Sequence, residues 1–448
     1  MHRAGWLVGL ASVALAAPIS GQAVYQFEDY RLDNGLRVIL SENHSAAVVA
    51  IDIWYSVGSR DERPGRSGFA HLFEHMMFQG SENAPEGFHR QSIQRAGGSM
   101  NGTTNEDRTA YFETLPANRL NLGLWLEADR MRSLAITDEN FENQRQAVKE
   151  ERRLRVDNQP YSKAFIEGPI AQFDEEACFP YAHTVIGSMD DLDAAETPDI
   201  REFFDQFYAP NNATLVVVGD FEPTVAKQLI QQYFGDIPRA EEPPAPTCDV
   251  SYGAGPERLD FPDPLANLPA VFITYLVPRH NHPDAYALQL LTSILGGGES
   301  SRLNRSLVRA AQTAVQAFAD VGGRMGPSQF SLIAIANQGK EIGIVEEQLA
   351  AEMAKIADEG VTEAELQKAK NGLRASQVFG RQTAFGLAES LQHYAHNHDS
   401  LAEINTDLDR YMAVTTSDIQ RVARQYLTAP NSLTITVIPA TAGQGGTQ

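Results

Sequence analysis

The sequence predicts an α+β fold: two homologous α/β sandwich domains, each a mainly antiparallel sheet packed with helices, related as an internal repeat. Three observations carry that reading. The 448 residues leave room for two or three domains with ample core. Strand-like and helix-like segments alternate along the chain. A pattern also starts over beyond a proline-rich stretch. Asp199-Ile200 and Gln206-Phe207-Tyr208-Ala209-Pro210-Asn211 recur as Asp418-Ile419 and Gln425-Tyr426-Leu427-Thr428-Ala429-Pro430-Asn431, at an offset of 219 or 220 with one inserted residue.

In chain order, Tyr30-Arg31-Leu32 and Leu36 to Leu40 read as two strands. They are joined at Asn34-Gly35, a pair that supplies the positive φ values of a two-residue hairpin turn. Ala47 to Tyr55 is a further strand, and the loop Val57 to Arg66 delivers the chain into a segment too apolar to be an exposed helix, Phe69 to Met77. Phe88 to Ala96 reads as a helix ended by Gly97-Gly98. Ser99 to Leu115, polar and rich in Thr and Tyr, reads as a hairpin at a sheet edge. Such an edge either accepts an extended peptide as an added strand or is an ordinary solvated edge.

Leu120 to Leu134 is helical by period, and Glu139 to Arg155 follows as a long charged helix with Phe141, Ala147, Val148 and Leu154 marking its inner side. Thr197 to Tyr208 is helical, Ala213 to Val218 a strand, and Ala226 to Phe234 helical again. Four prolines between Ile237 and Pro246 mark a linker. Beyond it, the strand Val271 to Val277 leads to an apolar helix, Ala285 to Leu295, as Ala47 to Tyr55 leads to Phe69 to Met77. The expected domains are 24–236, a linker 237–257, a second half 258–440 and a tail 441–448.

Composition narrows the function. A net charge of -22 argues against nucleic acid or anionic membrane as partner, since both need a basic face. Residues 1–23 have the parts of a secretory signal peptide: a charged start, an apolar run from Trp6 to Ala17 and small residues before cleavage after Ala23. An uncleaved anchor is the alternative. No later segment has the apolar length of a membrane helix, so a soluble, periplasmic protein is expected. Cys178 and Cys248 either pair in such an oxidising compartment or remain two free buried thiols.

The chemistry sits in the apolar helix. His71 and His75 stand four apart, one turn over another, and Glu74 lies three from His71 on the same stripe. A lone histidine in an apolar helix is usually a hydrogen-bonded core residue. Two histidines and a glutamate buried together cost several kcal/mol for the charge alone, so a bound cation is the cheaper explanation. The order is H-x-x-E-H, the reverse of the zinc-peptidase H-E-x-x-H. A catalytic zinc takes three protein donors and leaves a fourth position to water, so a third donor must come from elsewhere. Glu150 and Glu151 in the long charged helix are the candidates, and spacing alone does not choose between them. At an offset of 217, Ala70 to His75 aligns with Ala287-Leu288-Gln289-Leu290-Leu291-Thr292, so the second half keeps the fold without this site. It either closes over the first half and contacts substrate or is purely structural.

The run Gly58-Ser59-Arg60-Asp61-Glu62 to Ser67-Gly68-Phe69-Ala70-His71-Leu72-Phe73-Glu74-His75-Met76-Met77-Phe78 resembles the pitrilysin and insulinase family of zinc metallopeptidases, in the branch of mitochondrial processing peptidase and its bacterial relatives. The resemblance covers the mature chain. It implies one Zn²⁺ per chain, held by His71, His75 and a glutamate in a Val-x-x-Glu setting, which Val148-Lys149-Glu150-Glu151 supplies as Glu151. It implies Glu74 as general base of peptide hydrolysis. It also implies that the strand Ser99, Met100, Asn101, Gly102, Thr103 lines the cleft and pairs with a peptide substrate. A glutamate often found seven residues before the third ligand is Gln144 here. The family's Arg/Tyr element would fall on Ser301 to Gln312, but seven residues after Arg309 comes Gln316, not tyrosine. That departure implies a heterodimer in which a homologous zinc-less subunit brings the Arg/Tyr element, with a homodimer as rival. Two other readings of the chemistry stand beside the peptidase: a non-catalytic assembly subunit with a structural zinc, and a zinc hydrolase of a non-peptide substrate.

Overall fold

The structure, a computed structural model, describes residues 24–253 and 257–439. The expected signal peptide, 1–23, and tail, 441–448, lie outside the described residues. Eleven strands among the described residues form two sheets. The first contains β1 (Glu28–Arg31), β2 (Arg37–Glu42), β3 (Val48–Tyr55), β4 (Ser99–Thr104), β5 (Thr109–Pro116) and β6 (Ala213–Gly219), in the order β1-β2-β6-β3-β5-β4. The second contains β7 (Glu257–Asp263), β8 (Ala270–Val277), β9 (Ala314–Val321), β10 (Ser328–Ala336) and β11 (Ser432–Pro439), in the order β7-β11-β8-β10-β9.

The two orders are the same path with β1 added. In each sheet one pair is parallel, β2 with β6 and β7 with β11, and every other pair is antiparallel. The internal repeat is therefore a repeat of topology. The expected edge hairpin is β4 and β5, with β4 outermost.

Both central strands, β3 and β8, are buried along almost their whole length, which alternation with solvent would not allow. The cause is an exchange of helices between halves. Val49, Ile51 and Ile53 face the first half's own helices, whereas Ala50, with Ile39, Val216 and Val218, packs against Leu387, Ala388, Leu391 and Tyr394. Those four sit on the helix Ala384–Asn397, contributed by the second half. Gln392 of this exchanged helix fixes it further, its side-chain amide donating to the carbonyl oxygens of Asp52 (2.7 Å) and Thr214 (2.8 Å). Reciprocally, Ala164 on the short first-half helix Ser162–Glu167 joins Ala270, Phe272, Ile333, Leu433 and Ile435 on the outer face of the second sheet. Cys178 and Cys248 form a disulfide in a small apolar cluster with Phe173, Tyr181 and Leu276, tying the linker to this exchanged segment.

Two local expectations need correction. The Asn34-Gly35 turn is not of the two-residue type, since only Gly35 takes a positive φ (96°). Asn34 is used elsewhere: its side-chain amide donates to the carbonyls of Phe234 (2.8 Å) and Ile237 (3.0 Å), closing the helix Pro223–Phe234. In the long charged helix, which spans Asp138–Arg152, Phe141 and Val148 face inward but Ala147 and Leu154 are exposed. Leu154 lies in a wider π-type turn, 153–157, that follows the helix and shifts the angular register. Among the described residues no helix is long and apolar enough to cross a membrane.

Candidate metal centre

The motif helix spans Phe69–Met76, with Phe69, Ala70, Leu72, Phe73 and Met76 buried. It is short, and its first amides need acceptors. Glu62 supplies them: its carboxylate accepts from the backbone N–H of Gly68 (2.8 Å) and Ala70 (2.7 Å), and His183 Nε2 lies 3.0 Å from the same carboxylate. Asp61 in turn accepts from Gly58 N–H (2.9 Å), and Arg60 pairs with Asp107 (2.9 Å). The run from Gly58 to Glu62 is thus the clamp that aims the motif. Gly68 enters the helix at φ 90°, with a Cβ there 2.8 Å from the Ile186 carbonyl oxygen, so only glycine fits. Beneath the helix Phe73 stacks on Phe203 and Tyr208, and the Tyr111 hydroxyl donates to the Phe73 carbonyl (3.4 Å).

Glu151 stands one turn beyond the buried Val148, on the stripe of the charged helix that meets the motif helix. Its Oε2 lies 3.2 Å from His75 Nε2 and 3.8 Å from His71 Nε2. Glu150 instead turns outward, 57% exposed, and pairs with Arg153. His71, His75 and Glu151 therefore converge, and Glu150 does not join them.

The donor set fits a divalent ion. Four bonds of about 2.0–2.1 Å in a tetrahedron put neighbouring donor atoms about 3.3 Å apart, near the 3.2 and 3.8 Å between Glu151 and the two imidazoles. Burial, then the proximity of His75, lowers the His71 pKa to about 4, so its ring is neutral and offers a lone pair. The contact with His75, opposed by burial, keeps the Glu151 carboxyl below its ordinary value.

Glu74 is turned off this set. Its Oε2 accepts from Thr104 Oγ1 (2.7 Å), and burial raises its pKa, a shift the Thr104 contact opposes. Thr104 is a partner that sequence spacing did not single out. Gly102 lies between: a Cβ there would sit 3.0 Å from Glu74 Cγ, so a residue without a side chain lets β4 run close to the glutamate. Ser99 and Asn101 are exposed, Met100 and Thr103 half-buried, and Thr103 is tied by its carbonyl and hydroxyl to Arg108 (2.7 Å each).

A cavity of about 560 Å³ opens beside His71 and Glu151 and is closed on its far side by the second half through Asp320, Arg324 and Ser331. The second-half arginine at this chamber is thus Arg324, which pairs with Glu106 (2.7 Å) and stacks on Tyr181. Arg302 pairs with Glu365, and Arg309 with Glu299, outside the residues that line the chamber.

Two halves of one topology, with a His/His/Glu donor set on the first at this position, define a two-domain protein with a candidate metal centre. The family model described as Insulinase (Peptidase family M16) matches residues 37–171, and that described as Peptidase M16 inactive domain matches residues 195–373. The chain belongs to the insulinase family, peptidase family M16. It is 31% identical over 442 residues to the zinc protease PqqE of Helicobacter pylori, covering 97% of this chain and 98% of that one. A solved protease from Helicobacter pylori superposes with a TM-score of 0.87 at 30% identity, covering 93% of this chain and all of that one. The periplasmic protease PqqL of Escherichia coli shares the fold at 18% identity and a TM-score of 0.75, covering 92% of this chain and 48% of that one.

Proposed function

We propose that the chain is a zinc-dependent endopeptidase hydrolysing peptide bonds of unfolded peptides or small proteins. The observation that carries this reading is the division of labour on one helix: His71 and His75 face Glu151, while Glu74 faces Thr104 and the open edge of β4. His71, His75 and Glu151 hold the ion. When bound, zinc supplies Lewis acidity toward a water and a carbonyl oxygen.

The chain's own groups do the rest. An extended substrate adds as a strand along Ser99, Met100, Asn101, Gly102 and Thr103, its backbone held by the unpaired edge of β4. Thr104 holds one Glu74 oxygen, leaving the other to take the proton from water as the water oxygen bonds to the scissile carbon. Glu74 then gives that proton to the amide nitrogen as the C–N bond breaks. The second half and the Arg324–Glu106 pair roof the chamber and limit bulk water.

The partner we propose is a homologous zinc-less subunit, since the stretch 301–316 of this chain engages its arginines in ion pairs and presents Gln316 where a tyrosine would serve. The compartment is the periplasm, the location named for the Escherichia coli protease of the same fold. Copurification from the native host tests the partner: a stoichiometric second chain is expected, and a single species active alone would refute the heterodimer.

Glu74→Gln tests the mechanism. Peptide turnover should fall by about 10²–10⁴-fold with zinc content unchanged. Retained turnover would overturn the assignment, and loss of zinc would make Glu74 a ligand instead.

A further inference from the structure

We propose a second metal site, formed by His280, His393 and His398, that takes a divalent transition-metal ion such as Zn²⁺ through three imidazoles and fastens the exchanged helix to the core of the second half. His280 follows β8, its backbone N–H held by the Arg324 carbonyl (2.9 Å). His393 lies on the exchanged helix, and His398 is that helix's C-cap, where the chain turns extended. The exchanged helix that carries His393 lies on the outer face of the first sheet, the face opposite the motif helix.

One ring nitrogen from each histidine lies within 4.8 Å of the other two. His280 Nε2 and His398 Nε2 are 3.1 Å apart, near the edge of about 3.3 Å that two nitrogens span on a tetrahedral zinc. The ring centroids are 4.7, 5.1 and 5.5 Å apart, against 4.9 Å for His71 and His75.

The surroundings prepare these rings to ligate. His398, 3% exposed, has its Nδ1 3.2 Å from the Glu403 carboxylate. With Nδ1–H donating to that carboxylate, Nε2 is left bare toward His280, the arrangement that commonly backs a metal-bound histidine. The side-chain amide of Asn397 lies 3.0 Å from His393 Nδ1 in the corresponding role, its oxygen and nitrogen being interchangeable by a flip. Of the nearby cations, Arg381 is engaged with the ring and hydroxyl of Tyr394, from which Asp407 accepts, and Arg410 pairs with Glu403 (2.6 Å). A cavity of about 240 Å³ at His280 and His393, with Glu389 and Asp407 in its wall, has room for water to complete the shell.

Three imidazoles without a thiolate suit zinc, nickel, copper or cobalt rather than magnesium or calcium. The ion would fasten the exchanged helix, seated on the first sheet, to the segment that follows β8 in its own half.

The test uses untagged full-length protein, stripped with a chelator, loaded with ZnCl₂ and passed through gel filtration before metal analysis. Wild type should hold two equivalents of zinc. His398→Ala should hold one, with peptide hydrolysis within about twofold of wild type, and Glu151→Ala should hold the other one. In the Glu151→Ala background, ZnCl₂ should raise the thermal midpoint, and adding His280→Gln should abolish that rise. One equivalent in the wild type, or two in His398→Ala, overturns the site. Zinc-edge anomalous diffraction from soaked wild-type crystals removes any dependence on a variant's folding: a peak among the three imidazoles is expected, and its absence overturns the proposal.

Discussion

The helix Phe69–Met76 and the helix Ala285–Gly296 follow the central strands of the two sheets, β3 and β8, and do opposite work. On the first, His71 and His75 gather near a carboxylate from another helix, and Glu74 turns to Thr104. On the second, the aligned Leu288 and Leu291 are wholly buried among apolar neighbours. The contrast extends beyond the helix. Among the described residues the first half buries the charged or titratable Asp52, Glu62, His89, Asp107, Glu113, Glu127, Asp129 and Arg130, while the second half buries Asp284, Glu352 and Asp407. One topology thus supports two interiors: one rich in buried charge, held by ion pairs and caps, and one where apolar packing dominates. Buried charge is expensive, so its concentration in one half marks where selection for function outweighs stability.

Substitutions at equivalent places should therefore fail in different ways. Leu291→Ala, at the position equivalent to Glu74, should lower stability by about 2–5 kcal/mol. Thermal or urea unfolding reads that loss, and zinc at the His71 centre should stay bound in the folded protein. A loss of zinc with unchanged stability would mean the second half contributes to the metal centre. Next in size is the disulfide. Replacing Cys178 and Cys248 by Ser opens a loop spanning 70 residues and should lower stability by about 2–4 kcal/mol. An unchanged thermal midpoint would show that this pair does not fasten the exchanged segment.

The third test concerns the charged interior. Burial raises the Glu113 pKa to about 7, with Arg130 opposing the shift. The native state then binds a proton that the unfolded chain has released, from pH about 4.5 up to about 7, so this group's contribution to stability falls as pH rises through that window. The loss amounts to about 1–3 kcal/mol by pH 8. Glu113→Gln, which cannot ionise, should flatten that limb of the stability profile. An unaltered limb would place the pH dependence elsewhere.

Much of this was legible in the residues. The recurrence of Gln206 to Asn211 as Gln425 to Asn431 announced two sheets of one topology, and His71, Glu74 and His75 announced the donor helix. Choosing Glu151 over Glu150 needed the family resemblance, because both stand on one helix and the angular position that separates them depends on its packing. The caps from Glu62 and His183, the Thr104 contact to Glu74 and the trio His280, His393 and His398 were not legible. Each joins residues far apart in sequence with no fixed spacing. The exchange of helices was hidden for a related reason: an apolar stripe on Ala384–Asn397 shows that a partner exists, not which sheet it is.

In the proposed metal centre of the first half, three side chains, two from one turn and one from a distant helix, share one ion. Zinc content and peptide turnover of Glu151→Ala, measured beside Glu150→Ala, test it most directly. Glu151→Ala should lose one equivalent of zinc together with turnover, while Glu150→Ala should keep both. A Glu151→Ala protein that retains all its zinc and cleaves peptides at the wild-type rate would contradict it.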